Sequence, residues 1–408
     1  MKILGKKHRI LAMSALALAL TTTAVLADSA ITPATVEPAL FKMAIRKATM
    51  GDIDPAKLDP VVAQTLAIAA TPLNAEQQKL WETCMTQNTC ETGHGKLTVA
   101  INADFADNPW WNIRRGEAIA QAVASPEVAK IIYVSAESGS MDEVLANLRS
   151  LVAQKVDIIV EDPVFGAAVL PALEDAKKAG VIFVAANSPL PAELADVVAT
   201  QLPLDLCPMG TAAGELVSKN ADPSLPKTYA LFTGVEGNAH AAEWQGCVQK
   251  VMDAAGWQQV YSGFTQWTPQ GEAQAAAAMV ASGKDIGAMF YDSVLNDFLQ
   301  PYIDAGKHLP AGFSDTHQYS TWALFKKAQD LGLKPKLFAA NSHVWYSRLG
   351  VTAGVMIASG KQVPKLIMSP VPTGDFEALA DLNVPDMPAQ TAFATLLTPE
   401  QAKFALGH

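Results

Sequence analysis

The stretch LVAQKVDIIVEDPVFGAAVLPALEDAKKAGVIFVAANSP, residues 151–189, decides the fold. Residues 156–160 form a short, mostly apolar run that ends in Glu161 and Asp162, as a strand buried on both faces should read. A helical period follows over 167–179 and is closed by Gly180, a residue suited to a left-handed C-cap. The apolar run 181–185 then predicts the next strand. Strand, helix and strand joined by short links make a crossover between parallel neighbours.

The same alternation extends upstream. Runs at 97–101 and 131–134 predict strands, and 113–124 and 141–154 predict helices. Asp142 and Glu143 suit the first turn of the second of these helices. Downstream the pattern restarts after a break near 202–208. Strands are expected at 228–232, 259–263, 286–290, 310–313, 336–340 and 365–368. Helices are expected at 209–219, 239–254, 270–281, 294–305, 323–331 and 346–359. The fold class is therefore α/β, with two doubly wound parallel-sheet lobes in sequence. Open sheets of this kind bind ligands beyond the C-terminal ends of their strands, so two that face each other make a cleft.

Residues 28–95 read differently. Helical periods at 37–50, 60–70 and 76–85 are punctuated by Pro33, Gly51, Pro55 and Pro72. They form an N-terminal helical extension that Gly93-His94-Gly95 separates from the main fold. Beyond Gly374 no clear period is present, and irregular turns are expected. The chain has 408 residues, half of them hydrophobic. That length and composition suit an ordinary globular protein of two or three domains.

The N-terminus carries Lys2, Lys6, Lys7 and Arg9 before an apolar run at 10–20 that is too short to span a bilayer. Val25 and Ala27 stand at positions −3 and −1 of a small-residue cleavage site. Residues 1–27 thus read as a signal peptide, and no cysteine follows the cut to suggest a lipid anchor. Cleavage takes the net charge from −10 to about −14. An acidic surface disfavours nucleic acid and anionic membrane as partners. Export places Cys84, Cys90, Cys207 and Cys247 where disulfides persist. Cys84 and Cys90 are close enough for a small loop staple, but three pairings remain open. A zinc site with His94 lacks enough neighbouring ligands. No nucleophile elbow, phosphate loop, zinc-helix motif or dinucleotide fingerprint stands in a fitting context. The reading therefore assigns no catalytic residue, metal or cofactor.

LTVAINADFADNPWWNIRRGEAIA (residues 97–120) taken with residues 151–189 resembles the ribose-binding-like, type I family of periplasmic binding proteins. Weaker echoes lie in GVEGNAHAAEWQGC (234–247), DIGAMFYDSV (285–294) and RLGVTAGVMIASGKQVP (348–364). The likeness runs from about 96 to 374. It implies lobes joined by three hinge crossovers: 96–203 plus 343–365, and 204–342 plus 366–374, leaving 375–408 as a tail. It further implies a monomer in the periplasm that hands a sugar or polyol to the inner-membrane permease of an ABC transporter. Alternatives within the fold are a nucleoside, a signalling furanone or an amine as ligand, and a chemoreceptor or sensor kinase as partner.

Strand ends and following turns supply the candidate ligand residues. Trp110 and Trp111 offer flat faces for a sugar ring. Adjacent side chains at a helix start diverge, so one is expected in the cleft and the other in the core. Phe105 is a further aromatic candidate, and Asn108 is either a hydroxyl partner or an N-cap. Glu161 and Asp162 end one strand; a half-buried carboxylate there needs hydrogen bonds, which hydroxyls supply, and Asp162 is preferred. Asn187 stands where the resemblance places an acid. Asn238 enters a helix beside His240, where relatives carry an arginine that this chain lacks. His240 itself reads as a cap or surface residue. The resemblance also points to Trp267 as a second stacking face and to Asp315 as a hydroxyl ligand. Tyr291 and Asp292 follow a strand of the second lobe. Asn341, Ser342 and His343 sit at the last crossover, with Asn341 preferred.

Overall fold

A computed structural model describes residues 31–106, 108–137, 139–191, 194–369 and 371–408. The expected signal peptide, residues 1–27, lies outside the described residues. The extension folds as three helices, α1 (Pro38–Thr49), α2 (Pro60–Ala70) and α3 (Ala75–Thr86). Pro38 and Pro60 open the first two behind Glu37 and Asp59 as N-caps, and Asn74 with Gln77 closes a capping box on the third. Trp81 is fully buried and donates from Nε1 to Gly116 O at 2.9 Å, which seats the extension on the first lobe.

The first sheet contains β1 (Thr89–Glu91), β2 (Leu97–Ala103), β3 (Val128–Ser135), β4 (Ile158–Glu161), β5 (Ile182–Asn187) and β6 (Thr200–Pro203). Its order is β1-β3-β2-β4-β5-β6, parallel throughout except for β1. Val99 to Ile101 and Ile158 to Val160 are buried on both faces, which is why these strands read as unbroken apolar runs. Helices α4 (Pro109–Val123), α5 (Met141–Ala153) and α6 (Leu170–Ala179) cover the sheet.

Helix α7 (Leu206–Asn220) opens the second lobe. Its strands are β7 (Thr228–Thr233), β8 (Gln258–Phe264), β9 (Ala288–Tyr291) and β10 (Ala311–Ser314), followed by the short β11 (His317–Gln318), then β12 (Leu337–Ala339) and β13 (Gly374–Asp375). The order is β13-β12-β10-β9-β7-β8, and only β13 runs antiparallel. The five parallel strands of each sheet therefore share one order, second-first-third-fourth-fifth. Helices α8 (Ala239–Ala254), α9 (Pro269–Ala281), α10 (Asn296–Asp304) and α11 (Tyr319–Asp330) belong to this lobe. Helix α12 (Tyr346–Ala358) returns to the first lobe, against α2, α4 and β5.

Two expectations change. Residues 365–368 add no strand to the second sheet. Leu366 and Ser369 instead bridge Gln201 and Leu204 beside β6, and the second sheet takes its edge from β13. The tail is also ordered. Phe376–Leu382 is a 3₁₀ helix, β14 (Ala392–Phe393) pairs with β11, and α13 (Pro399–Ala405) starts from a Thr398–Gln401 capping box. These pieces are too short to show a period, and packing holds them. Phe376 is fully buried and stacks on Trp322, while Thr395 Oγ1 and Leu396 N donate to the buried Glu117 of α4. The chain thus passes between the lobes once more than the three crossovers expected. The same Glu117 pairs with Arg348 of α12, fastening that helix to α4 and the tail. The cysteines pair as Cys84–Cys90 and Cys207–Cys247; the second bridge ties α7 to α8.

Candidate binding cleft between the lobes

The C-terminal strand ends of both sheets meet at a cavity of about 390 Å³. From the first lobe, Asp162 follows β4. Its carboxylate accepts from Asn187 Nδ2 at 2.8 Å and Ser188 N at 3.1 Å, and Arg114 Nε lies 3.9 Å away. Asn187 takes φ +93°, a strained conformation that asparagine tolerates better than most residues. From the second lobe, Asp292 follows β9 and accepts from Thr233 Oγ1 (2.5 Å), Asn238 Nδ2 (3.0 Å) and Trp267 Nε1 (3.2 Å). Asp315 follows β10 and meets His240 Nε2 at 2.9 Å.

Three indoles wall the cavity. Trp110 and Trp111 sit edge to face with centroids 4.9 Å apart, and both line it. The expected split between one cleft and one core indole therefore does not hold. Trp111 is buried yet keeps an edge on the cavity, while Trp110 is anchored by Nε1 to Ser342 O at 2.8 Å. The buried Arg114 guanidinium lies beneath them, 5.7 and 5.0 Å from their rings. Trp267 faces them from the second lobe. Its ring lies so close to Gly234 that a Cβ there would come within 2.0 Å of it, so only glycine fits. Phe105 does not line the cavity. It meets Trp267 edge-on at 5.2 Å and Trp111 at 6.0 Å, joining the two walls.

Burial dominates the electrostatics. It pushes Asp292 up to about 7, with help from Asp315, against the hydrogen bonds from Thr233, Gly234 N and Trp267. Glu272, bonded to Tyr291 Oη at 2.8 Å, is likewise pushed up to about 7 by burial. For His240 burial opposes protonation, but the bond to Asp315 and the charges of Asp315, Asp162 and Asp292 outweigh it and raise its pKa. Burial, His240 and Arg114 together hold His343 well below the usual histidine range. Behind the cavity, Asp104 accepts from Val164 N at 3.1 Å and Glu161 from Asn102 Nδ2 at 2.6 Å. Burial and the neighbouring acids raise Asp104 strongly, and burial brings Glu161 to about 7.

The cavity gathers Asn108, Trp110, Trp111, Asp162, Asn187, Asn238, Trp267, Asp292 and Asp315. Asn108 and Asn238 also cap α4 and α8. Asn341 does not line it; its amide donates to Lys47 O at 2.7 Å in the extension, so the extension takes the contact that a solute was expected to make. His343 faces the cavity instead. His240 is buried there rather than capping at the surface, because α8 starts at the meeting of the lobes. Sequence reasoning missed Ser188, Glu272, Asn296, Asp297, Gln318 and Gln390. Glu272 was within reach of it, as the acid in the first turn of a helix opening just behind Trp267. No lysine or arginine is among the described lining residues.

The model of the periplasmic binding protein domain matches residues 99–306. No curated protein matches the chain. An ABC-transporter solute-binding protein from Thermobispora bispora superposes with a TM-score of 0.64 at 21% identity, covering 76% of this chain and 94% of that one. One from Mycobacterium smegmatis with bound glycerol gives 0.62 at 17%, covering 74% and 99%. One from Bacillus halodurans with bound myo-inositol gives 0.60 at 15%, covering 70% and 97%. The match covers most of the first sheet and β7, β8 and β9 of the second, about half of the chain, and the chain belongs to the periplasmic binding protein family.

Proposed function

We propose that this chain is the solute-binding component of an ABC transporter, acting in the periplasm after cleavage behind Ala27. It captures a small neutral polyhydroxylated solute, a sugar or polyol, and hands it as a monomer to a membrane permease. One observation carries the reading: indoles from both lobes face each other across a cavity rimmed by carboxylates and amides, without a lysine or arginine among the described lining residues. Indole faces suit the C–H face of a sugar ring. Asp162, Asn187, Asp292 and Asp315 suit its hydroxyls, and a phosphate or carboxylate would lack its usual cationic partners. The relatives with bound glycerol and myo-inositol support the same class. Capture needs no covalent chemistry. The solute need only bind the closed lobes better than the open ones.

A thermal-shift screen of the purified protein against sugars, polyols, nucleosides and amines tests the reading, because a ligand of the folded state raises its melting point by mass action. A shift with a sugar or polyol supports it; a shift with phosphorylated or carboxylated solutes alone overturns it. A second reading, an amine, draws on five lining carboxylates: Asp162, Glu272, Asp292, Asp297 and Asp315. A shift confined to amines would select it.

A further inference from the structure

His240, Asp315 and His343 are all buried, and each offers a ligand atom within 4.8 Å of the other two. Four buried polar atoms in this cluster lack a partner. They are Asp315 Oδ1, His240 Nδ1 and both ring nitrogens of His343. A buried polar atom without a partner costs about 1–3 kcal/mol, and an ion that engages one nitrogen of each ring and an Asp315 oxygen would offset part of that cost. Imidazole and carboxylate together suit divalent ions of the zinc–copper–nickel class. Around a metal with bonds of about 2.0–2.2 Å, donor atoms stand roughly 3–4 Å apart, so the widest separation in the cluster needs to close by about 1–2 Å. The surroundings favour a cation. Asp162 and Asp292 line the same cavity and add negative charge beside the cluster. The three residues come from α8, the end of β10 and the crossover after β12, so the site joins the second lobe to the hinge.

We propose that His240, Asp315 and His343 form a binding site for one divalent transition-metal ion on the wall of the interlobe cavity. Three protein ligands leave positions for water or for oxygens of a solute. The ion site does not depend on which solute fills the cavity.

The test is a calorimetric titration of the metal-stripped, untagged protein with Zn²⁺ alone, no solute present, with metal content per chain measured after dialysis. Saturation at one ion per chain is expected. Loss of an outer partner of a metal ligand typically weakens binding ten- to a hundredfold. His343→Ala and His240→Ala, which remove ligands themselves, should therefore each weaken it at least about a hundredfold. His308→Ala serves as the control, since His308 is exposed, pairs with Asp222 and offers a surface site for stray metal; it should bind as the unaltered protein does. Melting points of the stripped variants show that each is folded, and if His343→Ala is not, His240→Ala decides. Absence of saturable binding, binding unchanged in the cavity variants, or binding lost only in His308→Ala overturns the proposal. If zinc fails to bind while His343→Ala still reduces a sugar-induced thermal shift, the metal site is refuted and the solute-binding reading stands.

Discussion

At the tip of the first sheet Asp104, Glu161 and Asp162 crowd together; at the tip of the second, Asp292 and Asp315 follow β9 and β10. The strand orders match, yet the clusters face opposite ways. Asp104 and Glu161 turn inward, Asp104 accepting from Val164 N and Glu161 from Asn102 Nδ2, leaving only Asp162 at the cavity over the Arg114 guanidinium. In the second lobe both acids line the cavity, and His240 and His343 beside them keep nitrogens without partners. A carboxylate at a strand tip thus either turns away from the cavity or lines it. Orientation rather than the number of hydrogen bonds distinguishes the two, since Asp292 accepts four from the protein and still lines the cavity.

Four experiments can break or sharpen this contrast. The largest effect is expected from Arg114→Ala, which removes the buried cation beneath the first cluster. Leaving a buried charge uncompensated costs about 3–5 kcal/mol, measurable by urea denaturation; a loss under about 1 kcal/mol would show that the guanidinium does not hold this cluster. Next is Trp267→Ala at the open tip. Truncating an anchor of this kind costs about 2–4 kcal/mol of binding, at least thirtyfold in solute affinity by calorimetry. The solute-free melting point should move by no more than about 3 °C, and a large drop would make Trp267 a packing residue instead.

The third concerns pH. Glu161 has its folded-state pKa raised from 4.5 to about 7, foremost by burial. Its protonated form is the one the fold accommodates, so its stabilising contribution is complete below about pH 4.5 and is lost as pH rises through about 7. Glu161→Gln should therefore lessen the fall in solute-free melting point between pH 5 and 8; equal slopes for both proteins would refute the inward-turned pair. The smallest effect belongs to Phe105→Leu. An edge-on aromatic contact is worth about 0.5–1.5 kcal/mol, and this one joins first lobe to second. Solute affinity should drop about two- to tenfold, whereas an unchanged value would mean that the ring only fills space.

Much of the cleft was legible because strand ends are marked by abrupt changes from apolar to polar residues. Asp162, Asn187, Asp292 and Asp315 each follow such a run, and every one lines the cavity. Legibility failed where a partner comes from far along the chain. Asn341 has the right address, but Lys47, distant in sequence, claims its amide. His240 looked like a cap because nothing local shows that His343 will lie 4.9 Å from its ring. Arg114 stands one turn beyond Trp110, a spacing that would have placed it under the indoles, yet its pairing with Asp162 needs the β4 tip. The tail was unreadable for a related reason. Segments as short as β14 and α13 have little period of their own and are held by Glu117, Trp322 and β11.

By itself, the sequence determined the two doubly wound sheets, the helical extension and the polar strand tips. Period and punctuation are local properties, and burial on both faces writes itself into a strand as an unbroken apolar run. Only the tertiary structure decided which tip is closed and which is open, where the tail crosses, and that two histidines and an aspartate converge. Those outcomes depend on which distant group satisfies each buried polar atom, and hydrogen-bond satisfaction is a property of the assembled fold rather than of any stretch of chain.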